Sequence, residues 1–429
     1  MQITRNELGK GQIELIVEVS TEELKIYLPK AVEHLSREVK IEGFRPGKAT
    51  YEVLKAKIGE MAIWEEAARD AINKTFGQAL EEKITEQVVG QPEISITKLA
   101  TDNPLEYKAV VTILPEIILA EYKNFGIEQV KVEITTEEVQ KTLNELREWR
   151  AKEVITDRAI GEGDKVIVDI NMSLDKVPVE GGQTKDTAVI MGKNYIIPGF
   201  DQHLIGAKKN DNREFTLHYP EDHHQKNLAG KQVEFNVTIK EVYERKLPAL
   251  DDDMATAFGM KKLTELEADI KKTIEKDKEQ QTRQKVEIQI LDKLIEETKF
   301  GDIPELLILN EGDTMLHELE HDITERGAKF EDYLQSLNKT PEQIKLEMMP
   351  QAVKRVKSAL IIREISKKEN ITASDHDVEH EIEHILEHYP DNKEVEKQVT
   401  SKQYKEYLRN SISNRKVIEK LREWNVVKK

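Results

Sequence analysis

At 429 residues, with 34% charged, 38% hydrophobic and 5% aromatic residues, the chain is too long for one core and too charge-rich for a thick one. A formal net charge of −17 excludes a broad nucleic-acid-binding face, so no DNA partner is expected and any RNA contact must be a small basic patch. Without cysteine there are no disulfides, thiolate metal sites or cysteine nucleophiles, which fits a reducing cytosol.

The amino terminus lacks the charged, apolar and small-residue succession of a signal peptide, and no stretch approaches the roughly 20 apolar residues that span a bilayer. A soluble, cytoplasmic protein without a membrane partner is expected. Ile13, Leu15, Val17 and Val19 alternate with polar residues as a half-buried strand does. Ser20 stands three residues before Glu23 as in a capping box, and Leu24, Leu28, Val32, Leu35 and Val39 continue at helical spacing, predicting one helix. The loop at 42–48 ends it, and helical pattern resumes over 51–82. Strand-like runs follow at 93–99 and 105–114, so residues 1–112 read as an α+β unit.

Pro115 opens an extended connector. Thr135 with Glu138 then starts a helix whose apolar residues are Val139, Leu143, Leu146 and Trp149, making 113–149 a linker. Residues 150–245 change texture to short strands, at 165–172, 214–219 and 233–242, separated by turns at Gly181-Gly182, Gly199 and Gly206. From Leu247-Pro248 the pattern is helical through 246–429. Thr264 with Glu267 opens a helix to Glu297 that at ~1.5 Å per residue would reach about 50 Å. Its middle, 275–285, has no apolar residue, which predicts a projecting arm. Thr340-Pro341-Glu342-Gln343 and Ser374 mark later helix starts.

Gly43-Phe44-Arg45-Pro46-Gly47-Lys48 has the composition of a shaped tip. Phe44 offers an apolar anchor, and Arg45 and Lys48 can engage acidic side chains or phosphates. Across 37–48, Arg37, Lys40, Arg45 and Lys48 exceed Glu38 and Glu42 by two charges (4 − 2). An ordinary helix-to-helix turn would look similar. A P-loop is excluded, because three residues separate Gly43 from Gly47 and Ala49 stands where a magnesium-binding hydroxyl belongs.

Two runs, His317-Glu318-Leu319-Glu320-His321 and His380-Glu381-Ile382-Glu383-His384, satisfy H-E-x-x-H, and His376, His380, His384 and His388 form one row. A zinc endopeptidase is the reading these runs would support. Glutamate-rich helices with packing faces Leu316, Leu319, Ile323 and Val378, Ile382, Ile385 explain them without metal. No metal and no cofactor are expected.

The 43–48 loop, the stretch from Met191 to Phe200 (MGKNYIIPGF) with Gly206, and the junction Leu247-Pro248-Ala249-Leu250-Asp251-Asp252 resemble, in that order, the trigger-factor family. Val168-Asp169, Glu180-Gly181-Gly182 and Asn227-Leu228-Ala229-Gly230-Lys231 match the FKBP-type prolyl isomerase domain of that family. The resemblance implies an α+β multidomain fold. Its parts would be a ribosome-binding domain (1–112), a linker helix joining the chaperone body (113–149), an FKBP-like β-rich insert (150–245) and a helical, client-binding domain with projecting arms (246–429).

It further implies an ATP-independent chaperone that binds nascent polypeptides at the exit tunnel of the large ribosomal subunit, with peptidyl-prolyl cis-trans isomerase activity. Unfolded polypeptides would be its other partners, and whether two copies pair off the ribosome is left open. Gly43, Phe44, Arg45, Pro46, Gly47 and Lys48 would be the ribosome anchor, although the family often has a basic residue where Pro46 stands. Ile197 and Phe200 would floor the isomerase pocket, with Phe235 on a wall and Asp169 among its polar contacts. Ile170, Val179 and His223 stand where the family usually shows aromatics, which implies low turnover. Ile303, Leu306, Leu307, Ile308, Met315, Met348 and Met349 are candidate client contacts, and each could equally be packed core. A free cytosolic isomerase and holdase, its loop vestigial, is the closer alternative.

Overall fold

The chain opens on a strand that its residue pattern does not announce. β1 (Gln2–Gly9) lies at a sheet edge and turns Ile3 and Arg5 half inward while most of its other side chains stay in water. It pairs antiparallel with β2 (Gln12–Val19), whose Ile13, Leu15, Val17 and Val19 are buried as the alternation requires. The computed structural model describes residues 1–41, 44–221, 228–390 and 392–427, and of Glu180 only the backbone.

The capping box at Ser20 and Glu23 is formed, but the helix it starts is two pieces, α1 (Thr21–Lys25) and α2 (Leu28–Glu38). Pro29 has no N–H to give the preceding turn, so continuous helix stops there. The 51–82 pattern likewise parts at Gly59 into α3 (Tyr51–Ile58) and α4 (Glu60–Lys83). β3 (Val88–Lys98) and β4 (Leu105–Ile113) complete an antiparallel sheet in the order β1-β2-β4-β3. α4 turns Trp64, Ala67, Ala68 and Ala71 into the core shared with this sheet, and its alanines allow close approach. The connector then forms two short strands, β5 (Ile117–Ile118) and β6 (Ile127–Glu128).

Residues Val130–Thr282 make one compact unit, and Met1–Gln129 with Arg283–Lys429 the other. In the former, α5 (Thr136–Trp149) starts at the predicted capping box of Thr135 and Glu138. Its fully buried Leu143 packs with Ala255, Leu266 and Ile270. The insert holds β7 (Lys152–Ile155), β8 (Lys165–Leu174), β9 (Val177–Ile190), the short α6 (Phe200–Leu204), β10 (Asn212–His218) and β11 (Gln232–Lys246). Its sheet order is β10-β11-β8-β9, with β7 also on β11. The turn from β8 to β9 falls at Asp175-Lys176. Gly181-Gly182, expected as a turn, is a bulge inside β9, where the β8 register shifts between Asn171 and Ser173. α7 (Asp252–Thr256) precedes α8 (Leu263–Glu297), whose first amide is capped by Asp252 Oδ1 at 2.8 Å. The apolar-free middle of α8 is largely exposed, and the boundary between the two units falls within it.

The remainder comprises β12 (Lys299–Phe300), α9 (Glu305–Glu325), α10 (Phe330–Leu337), α11 (Pro341–Glu369), α12 (Asp375–His388), α13 (Lys393–Val399), α14 (Lys402–Asn425) and β13 (Val426–Val427). α9 and α11 pack as a long hairpin, and α12, α13 and α14 enclose a small core of their own. Val286, Ile290 and Leu294 of α8, Ile361 and Ile365 of α11 and Val417 and Leu421 of α14 form the central core, which also buries Tyr122 of the connector. β5 pairs with β12 and β6 with β13, so the connector is stitched into this body. Asn425, 1% exposed, fixes it further: its amide donates to the carbonyls of Tyr122 and Leu421 and accepts from Phe125 N–H. Among the described residues no helix is long and apolar enough to cross a membrane.

Candidate functional site

The 44–48 loop is short because it is tied at both ends. Gly47 N–H donates to the carbonyl of Ser36, in the last turn of α2, at 2.9 Å, and Lys48 N–H donates to Arg45 at 3.0 Å. With Pro46 and Gly47 as its central residues this is a type II turn, which needs positive φ at its third position. Gly47 has φ +81°, and a Cβ there would lie 3.1 Å from Arg37 Cγ. Buried Ala49 anchors the return. Phe44 is 42% exposed, and Arg45, Pro46 and Lys48 are also exposed. Arg37 is engaged by Glu33, whereas Lys40, Arg45 and Lys48 have no ion pair among the described residues. Gly43 and Glu42 lie outside the described residues.

In the insert, alternation along β8 puts Val168 and Ile170 inward, and Phe235 of β11 sits across from Met172. The loop after β9 then brings Ile197, 2% exposed, and Phe200, fully buried, onto the same side. Phe200 meets Phe235 edge-on with centroids 5.5 Å apart, and Phe215 edge-on at 5.4 Å. Phe215 and Tyr219 each stack on Phe235, at 5.5 and 6.3 Å, and His203 stacks on Phe215 at 4.5 Å. Burial pushes the Tyr219 hydroxyl up in pKa. Ile170 belongs to this apolar cluster and Val179 packs against it half-buried, while His223 and Asn227 lie outside the described residues.

Three of the four expected pocket residues therefore come together, and Asp169 does not join them. Between Val168 and Ile170 on β8 it points to the opposite face. There it accepts from Asp186 N–H at 2.9 Å and pairs with Lys240 at 3.1 Å, contacts that hold its carboxyl below the usual range. Sequence reasoning missed Phe215 and Tyr219. Their signal was present, since both face inward in the alternation that begins with Arg213.

The family profiles described as "Bacterial trigger factor protein (TF)" and "Bacterial trigger factor protein (TF) C-terminus" match residues 1–146 and 262–423. The one described as "FKBP-type peptidyl-prolyl cis-trans isomerase" matches residues 156–240. The trigger factor of Carboxydothermus hydrogenoformans is 33% identical over 381 residues, 88% of this chain and 89% of its own length. That of Halothermothrix orenii is 34% identical over 88% of each. That of Caldicellulosiruptor saccharolyticus is 32% identical over 98% of this chain and 95% of its own length. The chain belongs to the bacterial trigger-factor family. It is an ATP-independent chaperone that binds nascent chains at the ribosome, and its insert is a peptidyl-prolyl cis-trans isomerase.

Trigger-factor membership also weighs against the zinc endopeptidase reading, and so does the geometry. Glu318 is held by Arg355 of α11 at 2.8 Å and Glu381 by Arg415 of α14 at 3.0 Å, so neither presumed general base is free. The Arg355 guanidinium keeps the Glu318 carboxyl below its ordinary range. His317 and His321 are 82% and 63% exposed, unlike ligands of a dry catalytic ion. Among the described residues no group of three His, Asp or Glu is placed to hold a metal.

The candidate client residues divide by burial. Met315 is only 5% exposed, and Met349 Sδ lies 3.1 Å from where a Cβ on Gly312 would stand, so both are packing residues of the α9–α11 hairpin. Leu306 closes on Gly90 of β3, where a Cβ would come within 2.6 Å of Leu306 Cδ2. Ile303, Leu307, Ile308 and Met348 are half-buried, and Leu346, which sequence reasoning passed over, is 71% exposed.

Proposed function

We propose that the 43–48 loop is the ribosome anchor of this chain, contacting the large subunit near the exit tunnel. The observation that carries the reading is the exposed Phe44 and Arg45, the latter without an ion pair among the described residues, on a turn locked to α2 through Gly47. A tip that is ordered before binding loses little entropy on docking. The proposed division of labour is 1–112 for ribosome docking, 113–149 as linker, 150–245 as isomerase and 246–429 for clients. Ile303, Leu307, Ile308, Met348 and Leu346 are the client contacts proposed. Leu306, Met315 and Met349 act through packing. Cytoplasmic residence, freedom from membrane and DNA, and a homodimer off the ribosome complete the reading.

The isomerase site proposed is the aromatic cluster of Phe200, Phe215, Tyr219 and Phe235 with Ile197 and Ile170. Twisting a prolyl amide has a barrier of ~18–20 kcal/mol, and a dry apolar site lowers it by removing solvent from the amide. Aliphatic Ile170 and Val179 offer less flat contact than aromatics, so turnover is low. A protease-coupled peptide assay giving full family-level activity contradicts that part.

Co-sedimentation with purified ribosomes tests the anchor. Saturable pelleting of the wild type, lost in Phe44→Ala/Arg45→Ala, is expected. Equal pelleting of both proteins moves the anchor elsewhere, and pelleting of neither favours the free isomerase and holdase.

A further inference from the structure

The loop from Met191 to Gly199, which delivers Ile197 and Phe200 to the aromatic cluster, has an uncommon backbone. Asn194 has φ +51° and Gly192 and Gly199 have φ +87° and +92°. Glycine and asparagine permit such angles but do not dictate them, so the path of the loop is fixed by its ties. Its backbone ties are Met191 N–H to the Asp164 carbonyl at 2.9 Å, Phe200 N–H to the Ile197 carbonyl at 3.1 Å, Gly163 N–H to the Met191 carbonyl at 3.2 Å and Lys193 N–H to the Ile190 carbonyl at 3.3 Å. Lys193 Nζ also pairs with Glu148 at 2.7 Å, and Gly199 N–H meets Asn194 Oδ1 at 3.4 Å. The amides of the turn itself are held by one side chain. Asp201, 2% exposed in the first turn of α6, accepts from Gly192 N–H at 2.8 Å and from Asn194 N–H at 2.9 Å, both through Oδ2. Its other oxygen, Oδ1, is buried without a hydrogen-bond partner among the described residues.

A buried carboxylate with one oxygen unpartnered is destabilising by itself, and an asparagine or an apolar residue would fill the space at lower cost. What the carboxylate supplies is a charged acceptor, whose bonds to amides are roughly twice as strong as neutral ones. It stands directly beside Phe200, so the group that fixes the loop is covalently continuous with the residue at the centre of the cluster.

We propose that Asp201 is a positioning residue of the isomerase: it holds the Gly192–Asn194 turn, and through it Ile197, in register with Phe200 and Phe235. It does not touch the prolyl substrate. The inference rests on the aromatic cluster being the isomerase site. Errors of about 1 Å in such a site can cost on the order of 100-fold in rate, so loss of the anchor is expected to show in kcat/KM while the fold persists.

The experiment compares Asp201→Ala, Asp201→Asn and Ile197→Ala in the full chain, by protease-coupled peptide isomerisation, ribosome co-sedimentation and hydrogen exchange at Gly192 and Asn194. Asp201→Ala is expected to lower kcat/KM by 10-fold or more and speed exchange at both amides, with ribosome pelleting unchanged. Asp201→Asn, which keeps an oxygen acceptor without charge, is expected to fall between Asp201→Ala and wild type. Wild-type kcat/KM in Asp201→Asn, together with wild-type activity or failure to fold in Asp201→Ala, overturns the proposal. Ile197→Ala separates the two claims. If Ile197→Ala impairs isomerisation and the Asp201 variants do not, only the positioning role fails; if Ile197→Ala is itself neutral, the site assignment fails first.

Discussion

Single residues carry the acid sensitivity of the amino-terminal sheet. Arg5 of β1 reaches past the sheet edge to Glu86, with Nη2–Oε1 at 2.7 Å, and to the Lys83 carbonyl at 2.9 Å. The Arg5 hydrogen bond holds the Glu86 carboxyl down at about 2, against an ordinary 4.5. A depressed carboxyl stabilises the fold above its unfolded pKa, and the benefit is lost as pH falls from about 4.5 toward 2. Because the pair is partly solvated, its contribution is about 1 kcal/mol. Arg5→Ala should therefore be less stable than wild type at pH 7, with the gap narrowing across that window. Urea unfolding followed by Trp64, after Trp149→Phe and Trp424→Phe, measures it. A gap constant with pH would assign the whole effect to the lost Lys83 contact.

At the scale of elements, the places where local chemistry decides were legible. Four of the five helix starts read from the sequence, Ser20, Thr135, Thr340 and Ser374, cap by accepting the amide three residues on. The fifth, Thr264, lies inside its helix, which begins at Leu263 because Asp252, distant in the chain, takes that amide. What escaped depends on partners distant in the chain. β5 and β6 have two residues each and exist only because Lys299–Phe300 and Val426–Val427 pair with them. β1 is an edge strand with little apolar pattern to read. Of the residues that the resemblance offered for the proposed isomerase site, Ile197, Phe200 and Phe235 lie in one cluster, whereas strand parity from Val168 turns Asp169 to the opposite face. α11 holds a testable anomaly, because Pro350 sits inside it and leaves the carbonyl of exposed Leu346 without its helical donor. Pro350 is itself exposed, so Pro350→Ala removes no core packing. The variant should stabilise the hairpin by about 1–3 kcal/mol. Slower hydrogen exchange over 346–354 is the expected result, and unchanged exchange would mean that neighbouring groups already relieve the proline.

For the whole molecule the question is how a chain of net charge −17 docks on a nucleic-acid-rich particle. Long-range attraction cannot help, since a net charge of −17 does not draw in phosphate and its field is largely screened beyond about 8–10 Å at moderate salt. With the 43–48 loop as the proposed anchor, docking rests on a local patch in which Phe44 is the apolar contact. Of the basic residues in 37–48, Arg37 is neutralised by Glu33, which leaves Lys40, Arg45 and Lys48. Three charges displacing counterions give a log–log salt slope no steeper than about −3. Co-sedimentation titrated from low to moderate salt should show this shallow dependence, and Phe44→Ala should weaken binding without changing the slope. Arg45→Ala should weaken binding and flatten the slope by about one unit. A slope of wild type much steeper than −3 would place additional basic contacts outside the loop, and the anchor would have to be sought among the lysines elsewhere on the amino-terminal sheet and helices.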